Sequence, residues 1–130
     1  MPDTTPAGAD RHVLVADDEP HIGRILQLKL ENGPYTVTLV PDGRAAMEQL
    51  SSDTPIDLVL LDIMMPFVSG LDVLAELRKM PHRRNTPVFI LTAKGQDSDR
   101  TNAMELGATD FFTKPFSPNK LLARIDDLFT

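Results

Sequence analysis

Five short apolar runs alternate with five amphipathic stretches along this chain, and no other feature limits the fold as tightly. The runs are HVLVA (residues 12–16), YTVTLV (35–40), DLVLL (57–61), VFIL (88–91) and TDFF (109–112). The first, third and fourth are almost continuously apolar, as expected of strands covered on both faces. YTVTLV mixes threonine with apolar positions and reads as an edge strand. Between the runs, apolar residues recur at helical spacing: Ile22, Ile25, Leu26 and Leu30; Met47 and Leu50; Leu71, Leu74 and Leu77; and Leu121, Leu122, Ile125, Leu128 and Phe129. Helix stops fall at Asn32-Gly33-Pro34, at Pro81 and at Gly107, and helix starts at Asp42 and at Ser117-Pro118. Strands separated by helices over short connections pair in parallel through right-handed crossovers, which places helices on both faces of one sheet. The fourth amphipathic stretch, DSDRTNAMELG, offers only Ala103, Met104 and Leu106 as apolar residues. It is expected to sit loosely on the sheet and to shift easily.

The 130 residues suit one domain over 11–130, preceded by a Pro- and Thr-containing disordered lead over 1–10. A net charge of -6 argues against a nucleic-acid surface, and the one basic cluster, His82-Arg83-Arg84, reads as a solvated loop. There is no cysteine, which excludes disulfides, thiolate catalysis and Cys-ligated zinc. No apolar run approaches the roughly 20 residues that span a bilayer, and the first ten residues lack the pattern of a signal peptide. A cytoplasmic location is the expectation.

In an open α/β sheet, ligands bind outside the carboxyl ends of the strands. The residues that follow each strand therefore outline a site: Asp17, Asp18 and Glu19 after the first, Asp62 after the third, Thr92 after the fourth and Lys114 after the fifth. Crowded carboxylates repel one another and resist burial, so a cation is needed to hold them together. Asp17, Asp18 and Asp62 with Lys114 sum to -3 + 1 = -2, which a divalent ion neutralises. An oxygen-only ligand set selects a hard ion, and Mg²⁺ is the expected one. Such a pocket suits an incoming phosphoryl group, whose oxygens can meet the metal, the Lys114 ammonium, the Thr92 hydroxyl and backbone amides. Asp62, isolated among apolar neighbours in LLDIMMP, is the candidate acceptor, forming an acyl phosphate. Glu19 is expected in the first turn of helix one, where it favours the dipole.

With these residues in place, the chain resembles the response-regulator receiver domain of two-component signalling. The motifs that carry the likeness are VADDE, LLDIMMP with Gly70, ILTAKG and GATDFFTKPF, at matching intervals from about Arg11 to Thr130. The resemblance implies a flavodoxin-like (βα)5 sheet of strand order 2-1-3-4-5. It makes Asp62 the phosphoacceptor and has Asp17, Asp18 and Asp62 hold Mg²⁺ with the Met64 backbone carbonyl. It places Lys114 and Thr92 on the phosphoryl group, with Ala93 and Pro115 adjacent, and implies a cis peptide at Lys114-Pro115. Thr92 and Phe111 form the implied switch pair, and Met64 and Lys94 tune phosphate lifetime. Phe111 stands where many members carry tyrosine, and PFVSG (66–70) departs from the usual glycine- or asparagine-rich loop.

The implied partners are a sensor histidine kinase or phosphotransfer protein and an output partner or further output domain, with the domain a monomer or a phosphorylation-dependent homodimer. No nucleic acid and no membrane are expected as direct partners. The receiver would catalyse its own phosphorylation and slow dephosphorylation without being a turnover enzyme. Its output face would combine helix four, strand five and helix five, with Phe116 and Phe129 belonging to the core.

Three alternatives fit less well. A haloacid-dehalogenase-type phosphatase places its nucleophile after the first strand with a second Asp two residues on, whereas Asp17 is followed at that spacing by Glu19 and Asp62 by Met64. A phosphate-independent docking module has no need of the complete set of acids, threonine and lysine. A flavodoxin-like electron carrier wants a Ser/Thr/Gly-rich loop after strand one, which is absent here.

Overall fold

The continuous apolar runs become strands buried on both sides. In the computed structural model, which describes residues 11–93 and 97–130, β1 (Arg11–Ala16), β2 (Tyr35–Val40), β3 (Leu58–Asp62), β4 (Val88–Thr92) and β5 (Asp110–Thr113) form one parallel sheet. Its strand order is β2-β1-β3-β4-β5, so YTVTLV does lie at an edge. The connecting helices are α1 (Pro20–Glu31), α2 (Gly43–Ser51), α3 (Gly70–Lys79), α4 (Asp97–Glu105) and α5 (Pro118–Leu128). The lead expected over 1–10 and the candidate Lys94 lie outside the described residues.

Successive strand residues face opposite sides of the sheet, and this sorts the core into two layers. Val13, Val15, Leu58, Leu60, Phe89 and Leu91 pack with Leu26 and Leu30 of α1 and with Leu121 and Ile125 of α5. Leu14, Ala16, Val59, Leu61 and Ile90 face the other way, against Leu50 of α2, Leu74 and Leu77 of α3 and Ala103 of α4. Phe116 and Phe129 are half-buried against the α1–α5 layer.

Helix starts follow local chemistry. Asp42 accepts a hydrogen bond from the Ala45 amide at 2.8 Å, and Ser117 accepts one from Lys120 at 3.2 Å with Pro118 at the first helical position. Ser69 caps α3 through the Asp72 amide at 3.2 Å. Gly107, just past α4, has φ +98°, a conformation that favours glycine.

Several side chains depart from the sequence reading. Ile25 is 41% exposed because α1 is rotated to put Gly23, Leu26 and Leu30 against the sheet, where Gly23 meets the Leu39 side chain. Arg83 is not in a solvated loop; it is 3% exposed. Its guanidinium donates to the Leu50 carbonyl at 2.9 Å and to the Ser52 carbonyl at 2.7 Å, and His82 Nε2 lies 3.0 Å from the same Leu50 oxygen. The last carbonyls of a helix have no partner within it, and a five-donor guanidinium supplies one for α2.

On α4, Ala103 is fully buried, whereas Met104 and Leu106 are exposed at 46% and 36%, so its apolar hold on the sheet is thinner than its three apolar residues imply. Arg78 of α3 pins the far end of α4, donating to the Gly107 carbonyl at 2.7 Å and to Thr86 at 2.6 Å.

Candidate functional site

The parallel sheet delivers its strand ends to one rim. Asp17 follows β1 and is 7% exposed, with its amide tied to the Val40 carbonyl at 3.1 Å. Asp62 is the last residue of β3 and is 4% exposed, its Oδ1 accepting from the Met64 amide at 3.2 Å. Asp18 is exposed. The three aspartates each bring a carboxylate oxygen to within 4.8 Å of the other two.

Lys114, just beyond β5, reaches into this cluster. Its Nζ lies 2.8 Å from Asp17 Oδ2, 2.7 Å from Glu19 Oε1 and 3.1 Å from Asp62 Oδ2. The backbone amide of Lys114 donates to the Thr92 carbonyl at 2.8 Å, which anchors the lysine to the end of β4. The Lys114-Pro115 peptide is cis, as the sequence motif implied.

Glu19 corrects the sequence reading. It is the N-cap residue of α1 with no side-chain capping bond, and its carboxylate turns to Lys114 instead of serving the helix dipole. Three consecutive acids after one strand are the sequence signal for this, since all three leave the sheet on the rim that Lys114 reaches.

The electrostatics follow from burial and charge. Burial raises the Asp62 pKa above the usual carboxylate range, with the Asp17 charge adding to the rise and Lys114 opposing it. For Lys114, burial works to lower the pKa, but the close carboxylates of Asp17, Glu19 and Asp62 outweigh it and hold the ammonium well above its ordinary range. The Lys114 hydrogen bond lowers the Glu19 pKa. Four carboxylates against one ammonium leave -4 + 1 = -3 at this rim.

The donor set fits a hard divalent cation. Asp17 Oδ2 is buried without a hydrogen-bond partner; Lys114 Nζ is near it as an ion pair but is not aligned to donate. Among the described residues, it shares that condition only with Arg11 Nε. A buried carboxylate oxygen left in this state, beside two more aspartates, has the chemistry of a metal ligand.

The remaining candidates take distinct places. Thr92 closes β4 and is completely buried, with Ala93 exposed next to it. Phe111 is 4% exposed on β5, and the Arg100 guanidinium of α4 lies 4.9 Å from its ring centre. Met64 is 56% exposed beside Asp62, and Pro115 is exposed.

The β3–α3 loop is wound tightly: a Cβ on Gly70 would come within 2.0 Å of the Asp62 carbonyl oxygen, so only glycine allows α3 to begin there. Within this loop Phe67 has φ 72°, which costs a non-glycine residue about 1–2 kcal/mol. Its ring is 68% exposed and stacks on Arg44 at 4.1 Å. The PFVSG segment thus carries a left-handed Phe67 in the loop next to Asp62.

The model of the response regulator receiver domain family matches residues 13–126. The chain belongs to that family. Response regulator SaeR of Staphylococcus aureus (strain USA300) is 43% identical over 119 residues, which cover 92% of this chain and 50% of SaeR. The chain spans about half the length of the curated relatives it matches. The receiver domain of the Francisella response regulator 1452 superposes with a TM-score of 0.83 at 33% identity, covering 92% of this chain and 97% of that one. The BeF3-activated DrrB receiver domain gives a TM-score of 0.82 at 29% identity, covering 91% and 96%. This receiver domain is a two-component signalling module of the phosphorylation-operated class. No described helix is long and apolar enough to cross a membrane.

Proposed function

We propose that this receiver accepts a phosphoryl group on Asp62 from a histidine kinase or phosphotransfer protein, with Mg²⁺ held by Asp17, Asp18, Asp62 and the Met64 backbone carbonyl. One observation carries the reading: three aspartates with carboxylate oxygens within 4.8 Å of one another, of which Asp17 also has a buried oxygen without a hydrogen-bond partner, and Asp17 and Asp62 pair with the Lys114 ammonium. Held by these residues, Mg²⁺ would supply positive charge to the transferring phosphoryl oxygens.

An Asp62 carboxylate oxygen forms the new bond to phosphorus while the donor's bond to phosphorus breaks, and the electron pair leaves with the donor's imidazole nitrogen. Lys114 turns its ammonium to a phosphoryl oxygen. Thr92 donates its hydroxyl to another, with Ala93 and Pro115 flanking the group. Water attack on the acyl phosphate later returns Asp62 and inorganic phosphate, and the exposed Met64 side chain and Lys94 tune that rate. The domain catalyses both half-reactions on itself and turns over no separate substrate.

Movement of Thr92 toward the phosphoryl group frees room for Phe111 and repositions α4, which only Ala103 packs deeply among the described residues of that helix. The α4–β5–α5 face is then read by an output partner or by a further domain of the same polypeptide, with dimerisation on that face one form of output. The domain spans residues 11–130 and works in the cytoplasm.

The test is intact mass after incubation with Mg²⁺ and acetyl phosphate, a donor that leaves as acetate. Wild type gains one phosphoryl group and Asp62→Asn gains none. No gain in wild type, or equal gain in the variant, refutes the assignment.

A further inference from the structure

Glu19 is the member of the acidic rim that phosphoryl transfer leaves without a task. Its carboxylate makes the shortest contact to Lys114, 2.7 Å, against 2.8 Å for Asp17 and 3.1 Å for Asp62. An ammonium has three donors, and here each of the three surrounding carboxylates lies within 3.1 Å. Two of those donors are engaged in hydrogen bonds, to Glu19 and Asp62, and a phosphoryl group on Asp62 draws the ammonium toward its own oxygens, so the contacts to the other carboxylates must loosen.

The three partners are not equally free to do so. The Asp17 side chain is 2% exposed and regains no hydration if it is released. Asp62 carries the group itself. The Glu19 side chain is 54% exposed and performs no capping bond for α1, so once released it returns to water at little cost.

We propose that Glu19 is a positioning residue that parks the Lys114 ammonium in the unphosphorylated domain and surrenders it to the phosphoryl group, so that its reach sets the balance between the two states. This rests on the reading of Asp62 as the phosphoacceptor. The pair is an internal competitor, and weakening it favours the phosphorylated form. The effect depends on contact distance and not on charge alone, which separates it from general repulsion between Glu19 and an incoming anion.

The experiment measures beryllofluoride affinity by calorimetry at saturating Mg²⁺ for wild type, Glu19→Gln and Glu19→Asp. Shortening the side chain by one methylene keeps the charge and breaks the 2.7 Å contact. Both variants should bind about 1.5-fold to fivefold more tightly, the range expected for losing one exposed ion pair. In metal-free protein, the Lys114 ammonium protons should exchange with water faster in both variants, as followed by nitrogen-detected NMR.

Unchanged or weaker affinity in both variants overturns the proposal. So does tightening in Glu19→Gln alone, which would mark a diffuse field, and so does unchanged ammonium exchange. Failure of the wild type to bind beryllofluoride at all is a separate outcome, which removes the phosphoacceptor reading and this inference with it.

Discussion

Replacing Asp62 with asparagine should make the metal-free protein more stable, although it removes an ion pair. Lys114 Nζ lies 3.1 Å from Asp62 Oδ2, an attraction of about 5 kcal/mol at an effective dielectric of about 20. Against it stands Asp17, with a carboxylate oxygen within 4.8 Å, a repulsion of about 3 kcal/mol on the same scale. The solvent-facing Asp18 adds about 1 kcal/mol at a dielectric near that of water. Attraction and repulsion therefore nearly cancel, and burial decides the sign. Asp62 is 4% exposed, and the effective penalty for an ion at such a site is several kcal/mol.

Asparagine avoids most of that penalty and can still accept from the Met64 amide. The expected gain is about 1–3 kcal/mol at neutral pH, or a Tm higher by about 3–10 °C for a chain of this size. The assay is thermal and urea unfolding in EDTA. The pH dependence has a definite sign. Because the folded-state pKa of Asp62 is raised above its ordinary 3.8, the folded protein takes up this proton more readily than the unfolded chain. The stability withheld at neutral pH returns as pH falls through the folded value and is fully present below 3.8, so the gap to Asp62→Asn should close on acidification. Added Mg²⁺ should stabilise wild type by about 3 kcal/mol at a hundred times its Kd and the variant by less. An Asp62→Asn protein less stable than wild type in EDTA at pH 7 would refute the reasoning, since the carboxylates would then be held by their own contacts with no call for a cation.

Gly70→Ala should cost about 3 kcal/mol or more, because the new Cβ meets the Asp62 carbonyl oxygen at 2.0 Å; urea unfolding reads the loss, and phosphoryl uptake should fall even in the folded fraction. Arg83→Met keeps apolar packing but removes the guanidinium bonds to the Leu50 and Ser52 carbonyls, leaving His82 Nε2 to serve both, for a loss of about 1–3 kcal/mol. Its phosphorylation rate should be unchanged, since Arg83 lies in the connection that leads into β4, at the amino ends of the strands, whereas Asp62 lies at the carboxyl end of β3. Arg78→Ala removes the bonds to Gly107 and Thr86 and should cost about 2 kcal/mol; hydrogen exchange should then quicken through α4 more than through α3.

The acid cluster was legible in the sequence for a topological reason. Parallel strands joined by crossovers all end on one rim, so residues 17, 18, 62 and 114 had to meet once the alternation of strands and helices was recognised. Edge status for YTVTLV and the caps at Asp42 and Ser117 were equally local, because each depends on a few adjacent residues and their backbone groups.

Other features waited for the tertiary structure. The direction of Glu19, the burial of Arg83 and the exposure of Ile25 each depend on how a helix is rotated or what a distant carbonyl lacks. Phe67 occupies a left-handed conformation because its loop must return α3 onto Asp62, which no property of phenylalanine announces. Period and topology are written into the order of apolar and polar residues, and these determined the sheet and the meeting of its acids. Side-chain direction arises from packing between segments far apart in the chain, and only the folded protein decided which acid the lysine holds.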